Sequence, residues 1–224
     1  MIRSGAKGAA AQAGLVLLHG RGGDAQDILG LLTHAALPDV AAVAPTAQGN
    51  SWWSSSFLAP SAQMEPHLAR GLAVVRDAVA ALEADGLPRS SIWLAGFSQG
   101  ACLALEAFAR DGDGLAGVFG FSGGLVGVED APGGADAALY GHGPKVLDYP
   151  GRRDGTAVWL SVHQRDPHIP LKRVEDTATA LRAMGAGVQV QVYPGAGHAV
   201  MREDIAALRA ALNRAHPAAS FSRP

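Results

Sequence analysis

The sequence is poor in cysteine, since Cys102 is the only one among 224 residues. A single cysteine cannot form an intramolecular disulfide, and it cannot supply the group of thiolates that holds structural zinc or an iron–sulfur centre. We therefore expect no metal site of this kind. A chain without disulfides is typical of a reducing compartment, so a cytoplasmic location is expected.

The sequence also lacks an excess of either charge and lacks long hydrophobic runs. It has 18 basic and 20 acidic residues, for a formal net charge of −2. This balance gives no electrostatic reason to expect a nucleic acid or an anionic membrane as partner. No stretch reaches the roughly 18 unbroken apolar residues of a membrane span, so integral membrane association is not expected. A small neutral or apolar molecule fits the composition better.

Short apolar runs alternate with longer stretches of helical period along the whole chain. With 48% hydrophobic residues, one compact domain is the default expectation for residues 1–224. Alternation of this kind predicts an α/β fold, in which helices cover both faces of a mostly parallel sheet. The predicted strands cover residues 15–19, 40–44, 91–95, 115–121, 156–162 and 188–193.

Three helices have clear apolar stripes or boundaries. The first places Leu68, Leu72, Val75, Val79 and Leu82 on one face, with Pro66 near its start. Others begin at Pro170 and near Met201.

Two segments match neither the helical nor the strand period. Residues 123–155 are rich in glycine, proline and aspartate, which is typical of a long connection that serves as an active-site lid or of a disordered surface insertion. Residues 214–224 are predicted to be a flexible tail.

The pattern Gly-x-Ser-x-Gly occurs twice, at residues 96–100 and 120–124. In a nucleophile elbow the serine lies on a tight turn between a strand and a helix, where flanking glycines allow close backbone contact. A strong helix former follows Ser98, whereas more glycines and then Pro132 follow Ser122. Ser98 is therefore the candidate nucleophile, and Ser122 is expected to end the neighbouring strand.

A serine hydroxyl needs an imidazole to accept its proton and a carboxylate to orient that imidazole. His198 follows the strand predicted at 188–193, and Asp166 follows the strand before it, so both reach the carboxyl edge of the sheet. Asp148 and Asp154 precede that strand and fit less well. The alternative for Asp166 is an N-terminal helix cap.

Two backbone amides are expected to stabilise a tetrahedral oxyanion. One is the amide of Gln99, directly after the nucleophile, and the other is that of Arg21 in the glycine-rich loop at 19–23. Residues 20–25 also satisfy a relaxed dinucleotide-binding fingerprint. That alternative lacks the ribose-binding carboxylate expected after the strand at 40–44.

Large apolar side chains follow the second early strand, close to where the site should lie. Trp52, Trp53 and Phe57 are candidates for lining a substrate pocket, and plain packing is the alternative.

Together these motifs resemble the phospholipase/carboxylesterase family of α/β hydrolases, which includes the acyl-protein thioesterases. The resemblance covers most of the chain through four motifs in order, at residues 17–20, 96–100, 166–170 and 197–198. It implies Ser98 as nucleophile, Asp166 and His198 as its partners, and the amides of Arg21 and Gln99 as the oxyanion hole, in agreement with the assignment from the residues.

Some segments depart from the general pattern. Residues 50–53 and 57–60 look more like a bacterial carboxylesterase branch than the eukaryotic thioesterases, and residues 163–165 replace a glycine that members often carry before the acid. The departures affect substrate range and leave every triad residue in place.

The function predicted from these observations is hydrolysis of small-molecule carboxylic esters through an acyl-enzyme, with no cofactor required. A lysophospholipase or acyl thioesterase shares this chemistry, and a binding module on a hydrolase fold is the alternative from another class. A homodimer is compatible with such a fold, although no segment identifies an interface.

Overall fold

The computed structural model describes residues 1–132 and 141–213, apart from the side chain of Ala9. Its strands form one sheet in the order β1-β3-β2-β4-β5-β6-β7, in which β1 pairs antiparallel with β3 and every other pair is parallel. The strands are β1 (Ile2–Gly5), β2 (Ala13–Leu18), β3 (Val40–Ala44), β4 (Ile92–Phe97), β5 (Gly117–Phe121), β6 (Ala157–Arg165) and β7 (Gly187–Ala196).

Helices cover both faces of this sheet, as the alternating pattern predicts. They are α1 (Ala25–His34), α2 (Ser61–Ala84), α3 (Gln99–Asp111), α4 (Leu171–Ala183) and α5 (Arg202–Leu212). Side chains alternate along each strand, so β2 sends Val16 and Leu18 to the core beneath α2, α3 and α4, and sends Leu15 and Leu17 to the core beneath α1 and α5. The predicted α/β-hydrolase architecture is confirmed.

The predicted strands appear within three residues of their expected ends, but β1 and the first turns of α2 were not expected. Strand β1 is short, polar and exposed, so it carries no strand period. Helix α2 begins five residues before Pro66, which lies inside it. The segment after β5 supports this start, because Ser61 N–H donates to Val128 O at 3.1 Å and Ala62 N–H donates to Asp130 Oδ1 at 2.7 Å.

In its described parts, the connection at 123–155 packs against α3 and α4. Residues 123–128 are buried, although their backbone is irregular. The buried Glu106 carboxylate on α3 accepts hydrogen bonds from Val126 N–H at 2.8 Å and from Tyr149 O–H at 2.7 Å. Arg173 on α4 donates to two carbonyls of this segment, Leu125 O and Gly127 O. Side chains from distant helices thus satisfy backbone groups that a strand would have paired.

The expected tail at 214–224 and the middle of the connection lie outside the described residues. Within the part of the chain that the structure covers, no helix has both the length and the apolar character needed to cross a membrane.

Candidate active site

Ser98 lies on a strained turn between the end of β4 and the start of α3. Its backbone has φ 55° and ψ −120°, a conformation that non-glycine residues rarely adopt. Flanking glycines make the turn sterically feasible. A Cβ at Gly96 would lie 2.3 Å from Gly100 O, and a Cβ at Gly100 would lie 2.1 Å from Leu18 O. The turn therefore depends on both glycines and lifts the hydroxyl off the end of the strand.

His198 and Asp166 complete a hydrogen-bonded series with this hydroxyl. His198 Nε2 lies 2.9 Å from Ser98 Oγ, and His198 Nδ1 lies 2.8 Å from Asp166 Oδ2. A carboxylate only accepts, so Nδ1 carries the proton and Nε2 is left as an acceptor for the serine O–H. This tautomer, assigned from the partners, is the one that a general base needs.

The Asp166 carboxylate is fully buried and held from its own loop. Its Oδ1 accepts the backbone N–H groups of His168 at 2.8 Å and Ile169 at 3.0 Å. This turn lies ahead of α4 and does not cap it, because the N-cap of that helix is Pro170. The same carboxylate also contacts His198. Its rival Asp154 is instead exposed and paired with Arg152.

The two candidate oxyanion amides belong to two segments near the serine. Gln99 is the first residue of α3, where a helix leaves its N–H without an intrahelical acceptor. Arg21 lies in the turn after β2, where Gly22 N–H donates to Asn50 O at 2.7 Å and Gly23 N–H donates to Gly20 O at 3.2 Å. This loop approaches the nucleophile closely, because a Cβ at Gly20 would lie 3.4 Å from Ser98 Cβ.

A cavity of about 500 Å³ opens at Ser98 and His198. Trp53 and Phe57 line it as expected, together with the serines at 54–56. Trp52 does not line it, which corrects the expectation for this residue. Its ring instead stacks on His19 with centroids 5.1 Å apart, and its Nε1–H donates to His19 O at 3.0 Å. Trp52 is therefore a packing residue beneath the glycine-rich loop.

Three further residues reach the cavity that sequence reasoning did not single out. The rings of Phe97 and His168 each lie 4.8 Å from the His198 ring, measured between centroids. Phe97 belongs to the motif at 96–100 and His168 to the motif at 166–170. Their positions close to Ser98 and Asp166 in the sequence could have indicated that they lie at the cavity. Cys102 lies one helical turn after Ser98, and burial raises the pKa of its thiol to about 12.

The loop that carries His198 is fixed by a buried carboxylate at the start of α5. Asp204 Oδ1 accepts the Nε1–H of Trp159 at 2.8 Å, and Oδ2 accepts Met201 N–H at 2.9 Å. Burial raises the pKa of this carboxyl group. The Asp204 interactions tie the helix start to β6, three residues after the loop. Within 1–132 and 141–213, no cluster of histidine, cysteine and carboxylate side chains has the arrangement of a metal site.

Comparisons with known proteins show the family and the fold of this chain. The sequence profile of the phospholipase/carboxylesterase family matches residues 3–139, which include Ser98 but neither Asp166 nor His198. A phospholipase/carboxylesterase from Dyadobacter fermentans shares 38% identity over 95% of both chains, with a TM-score of 0.82. Esterase PE8 shares 26% identity over 96% of this chain and 98% of its own, with a TM-score of 0.70.

A carboxylesterase from Bacillus cereus is similar in fold alone. It shares 16% identity over 96% of this chain and 93% of its own, with a TM-score of 0.66.

Proposed function

The chain belongs to the phospholipase/carboxylesterase family, and we propose that it is a serine carboxylesterase that hydrolyses esters of small or medium acyl groups. One observation carries the proposal. The series Ser98–His198–Asp166 is hydrogen-bonded in the order that activates a serine, at distances of 2.9 and 2.8 Å, and it opens on the cavity.

In the first half-reaction Ser98 Oγ attacks the ester carbonyl carbon while His198 Nε2 takes the hydroxyl proton. The carbonyl oxygen becomes an oxyanion, which the N–H groups of Arg21 and Gln99 stabilise by hydrogen bonds, and each such donor contributes about 3 kcal/mol in comparable sites. Asp166 stabilises the imidazolium that forms. The tetrahedral intermediate then collapses, and the alcohol leaves with the proton from His198.

In the second half-reaction water replaces the alcohol. His198 removes a proton from the water as it attacks the acyl-enzyme, and it returns that proton to Ser98 Oγ when the carboxylic acid leaves. Every proton transfer thus uses groups of this chain and water.

The cavity favours compact acyl groups over long ones. Its volume of about 500 Å³ lies in the lower part of the range for small-molecule sites, and its lining mixes Trp53, Phe57 and Ile169 with serines. A lysophospholipase or thioesterase would use the same triad on other leaving groups.

We also place the protein in the cytoplasm, on the basis of its single cysteine, and a homodimer stays a prediction.

A fluorophosphonate probe tests the proposal, since it phosphonylates activated serines. We expect the purified protein to be labelled at Ser98, as located by mass spectrometry, and we expect the labelling to disappear in His198→Ala. Absence of labelling in a folded sample would favour a binding module. Labelling at Ser122 would overturn the choice of nucleophile.

A panel of esters and thioesters with varied acyl chains then separates the related activities. We expect the largest kcat/KM for oxygen esters with short or medium acyl chains, whereas a preference for long-chain thioesters would indicate a thioesterase.

A further inference from the structure

Residues 53–57 line one side of the cavity, and the segment 50–57 that contains them is called here the wall segment. Two of its backbone groups bond to a single side chain, that of Gln99. The Gln99 amide donates from Nε2 to Trp53 O at 2.7 Å, and its Oε1 accepts Trp52 N–H at 2.9 Å. Gln99 is only 6% exposed, so these bonds are shielded from water.

The next part of the wall segment bonds to the side chain of Arg21. The guanidinium group donates from Nη1 to Ser54 O at 2.7 Å and from Nη2 to Ser55 O at 2.5 Å. Directly after it in the chain, Gly22 N–H donates to Asn50 O at 2.7 Å. A planar fork of this kind fixes both the distance and the orientation of two successive carbonyls.

Arg21 and Gln99 are also the two residues whose backbone amides are assigned to the oxyanion hole. Each therefore has two connections to the reaction, through its amide to the oxyanion and through its side chain to the cavity wall. We propose that the Arg21 and Gln99 side chains act as positioning residues that set acyl-chain specificity by holding the wall segment in register with the oxyanion donors. The inference rests on the proposed esterase function.

The wall segment is assigned to the acyl side of the ester. The alcohol leaves beside His198, because it takes its proton from Nε2, and the rings packed against His198 are those of Phe97 and His168. The wall segment is bonded instead to the side chains of the residues that supply the oxyanion donors, and the oxyanion is the carbonyl oxygen of the acyl group. Trp53 and Phe57 therefore face the acyl chain.

Loss of either side chain should affect long acyl chains more than short ones. An acetyl group extends little beyond the carbonyl carbon, so it depends mainly on the amides. A hexanoyl group lies along the wall, and a displaced wall changes its binding. Each methylene in a well-fitted apolar pocket is worth roughly tenfold or more in specificity.

The test compares kcat and KM for p-nitrophenyl acetate and p-nitrophenyl hexanoate in Arg21→Ala and in Gln99→Met, which keeps the length of the side chain. For Arg21→Ala we expect the hexanoate-to-acetate ratio of kcat/KM to change by about tenfold, mainly through KM, and Arg21→Lys to restore part of it. The matched control is Arg209→Ala, because Arg209 also donates to two successive carbonyls, at Ala35 and His34, away from the cavity.

The outcomes separate this inference from the proposed function. A wild-type ratio in both Arg21→Ala and Gln99→Met, with Ser98 still labelled by the fluorophosphonate probe, would overturn the inference alone. So would an equal loss of kcat/KM for both esters, or an equal change in Arg209→Ala. Failure of the wild-type protein to label at Ser98 would overturn the proposed function and the inference with it.

Discussion

The segments at 96–100 and 120–124 begin with the same three residues, Gly-Phe-Ser, and occupy equivalent places in the sheet. They end the neighbouring parallel strands β4 and β5, with Phe97 paired to Phe121 in register. Both serines even share the strained backbone, with φ of 55° at Ser98 and 49° at Ser122. A positive φ at the serine is therefore common to the two segments.

Their surroundings differ completely. After Ser98 the chain enters α3, and the Ser98 hydroxyl lies within hydrogen-bond distance of His198 Nε2 at the cavity. After Ser122 the chain runs beneath that same helix. Ser122 is 1% exposed, and a Cβ at Gly123 would lie only 2.4 Å from the Cβ of Ala101 on α3. A strained serine at a strand end is thus a local property, whereas catalysis also needs access and a histidine.

The largest test of this contrast replaces each serine by alanine. Ser98→Ala should lower kcat for p-nitrophenyl acetate by about 10⁵-fold or more, because the proposed nucleophile is lost. Ser122→Ala should change kcat by less than about threefold, since a buried hydroxyl outside the cavity takes no part in the reaction. Steady-state kinetics on both variants, with circular dichroism to verify folding, would measure this. A comparable loss in Ser122→Ala would break the contrast.

The different surroundings of the two serines could be predicted from the residues that follow each of them. Helix-forming residues follow Ser98, and glycines follow Ser122. Likewise, the strands before Asp166 and His198 predict their place at the carboxyl edge, because parallel strands deliver their ends to one edge. Periodicity and order along the chain were sufficient for the fold and for predicting that these three side chains lie together.

Features that depend on contacts between distant segments could not be predicted. Trp52 and Trp53 are adjacent and chemically alike, yet only Trp53 reaches the cavity, because the Trp52 ring packs on His19. Residues 123–128 have no regular period, and their burial depends on Glu106 and Arg173 from two other helices. No local pattern contains such information, since it arises from packing.

A second test concerns Cys102, which lies one turn after Ser98 and above the second segment, with Gly124 N–H directed at its Sγ at 3.5 Å. Burial raises the pKa of this thiol to about 12, so the thiolate is scarce below that pH. At pH 8.5 we expect iodoacetamide to alkylate Cys102 about 10³-fold more slowly than free cysteine, because the thiolate is the nucleophile.

Urea-unfolded protein is the control for the Cys102 measurement, and it should react at the free rate. Mass spectrometry over a time course gives both rates. Rapid alkylation of the folded protein would show that the second segment does not pack under α3 as described.

The smallest effect compares a glycine from each segment. In Gly100→Ala the new Cβ would lie 2.1 Å from Leu18 O and 2.5 Å from His19 O, backbone atoms that lead into the Arg21 loop. Both oxyanion segments must shift, and a displacement near 1 Å costs about 100-fold in kcat. In Gly123→Ala the new Cβ would lie 2.4 Å from the Ala101 Cβ and 3.0 Å from the backbone of Ala101 and Cys102, all within the first turn of α3.

Overpacking should cost each variant about 1–3 kcal/mol of stability, so thermal unfolding alone would not distinguish them. The distinguishing measurement is kcat per folded molecule, with the folded fraction taken from circular dichroism. We expect a loss of about 100-fold for Gly100→Ala and of less than about tenfold for Gly123→Ala, because only the Cβ at Gly100 meets the backbone that leads into the Arg21 loop. Equal losses would mean that the packing of α3, which both glycines support, positions Ser98 as much as the elbow does.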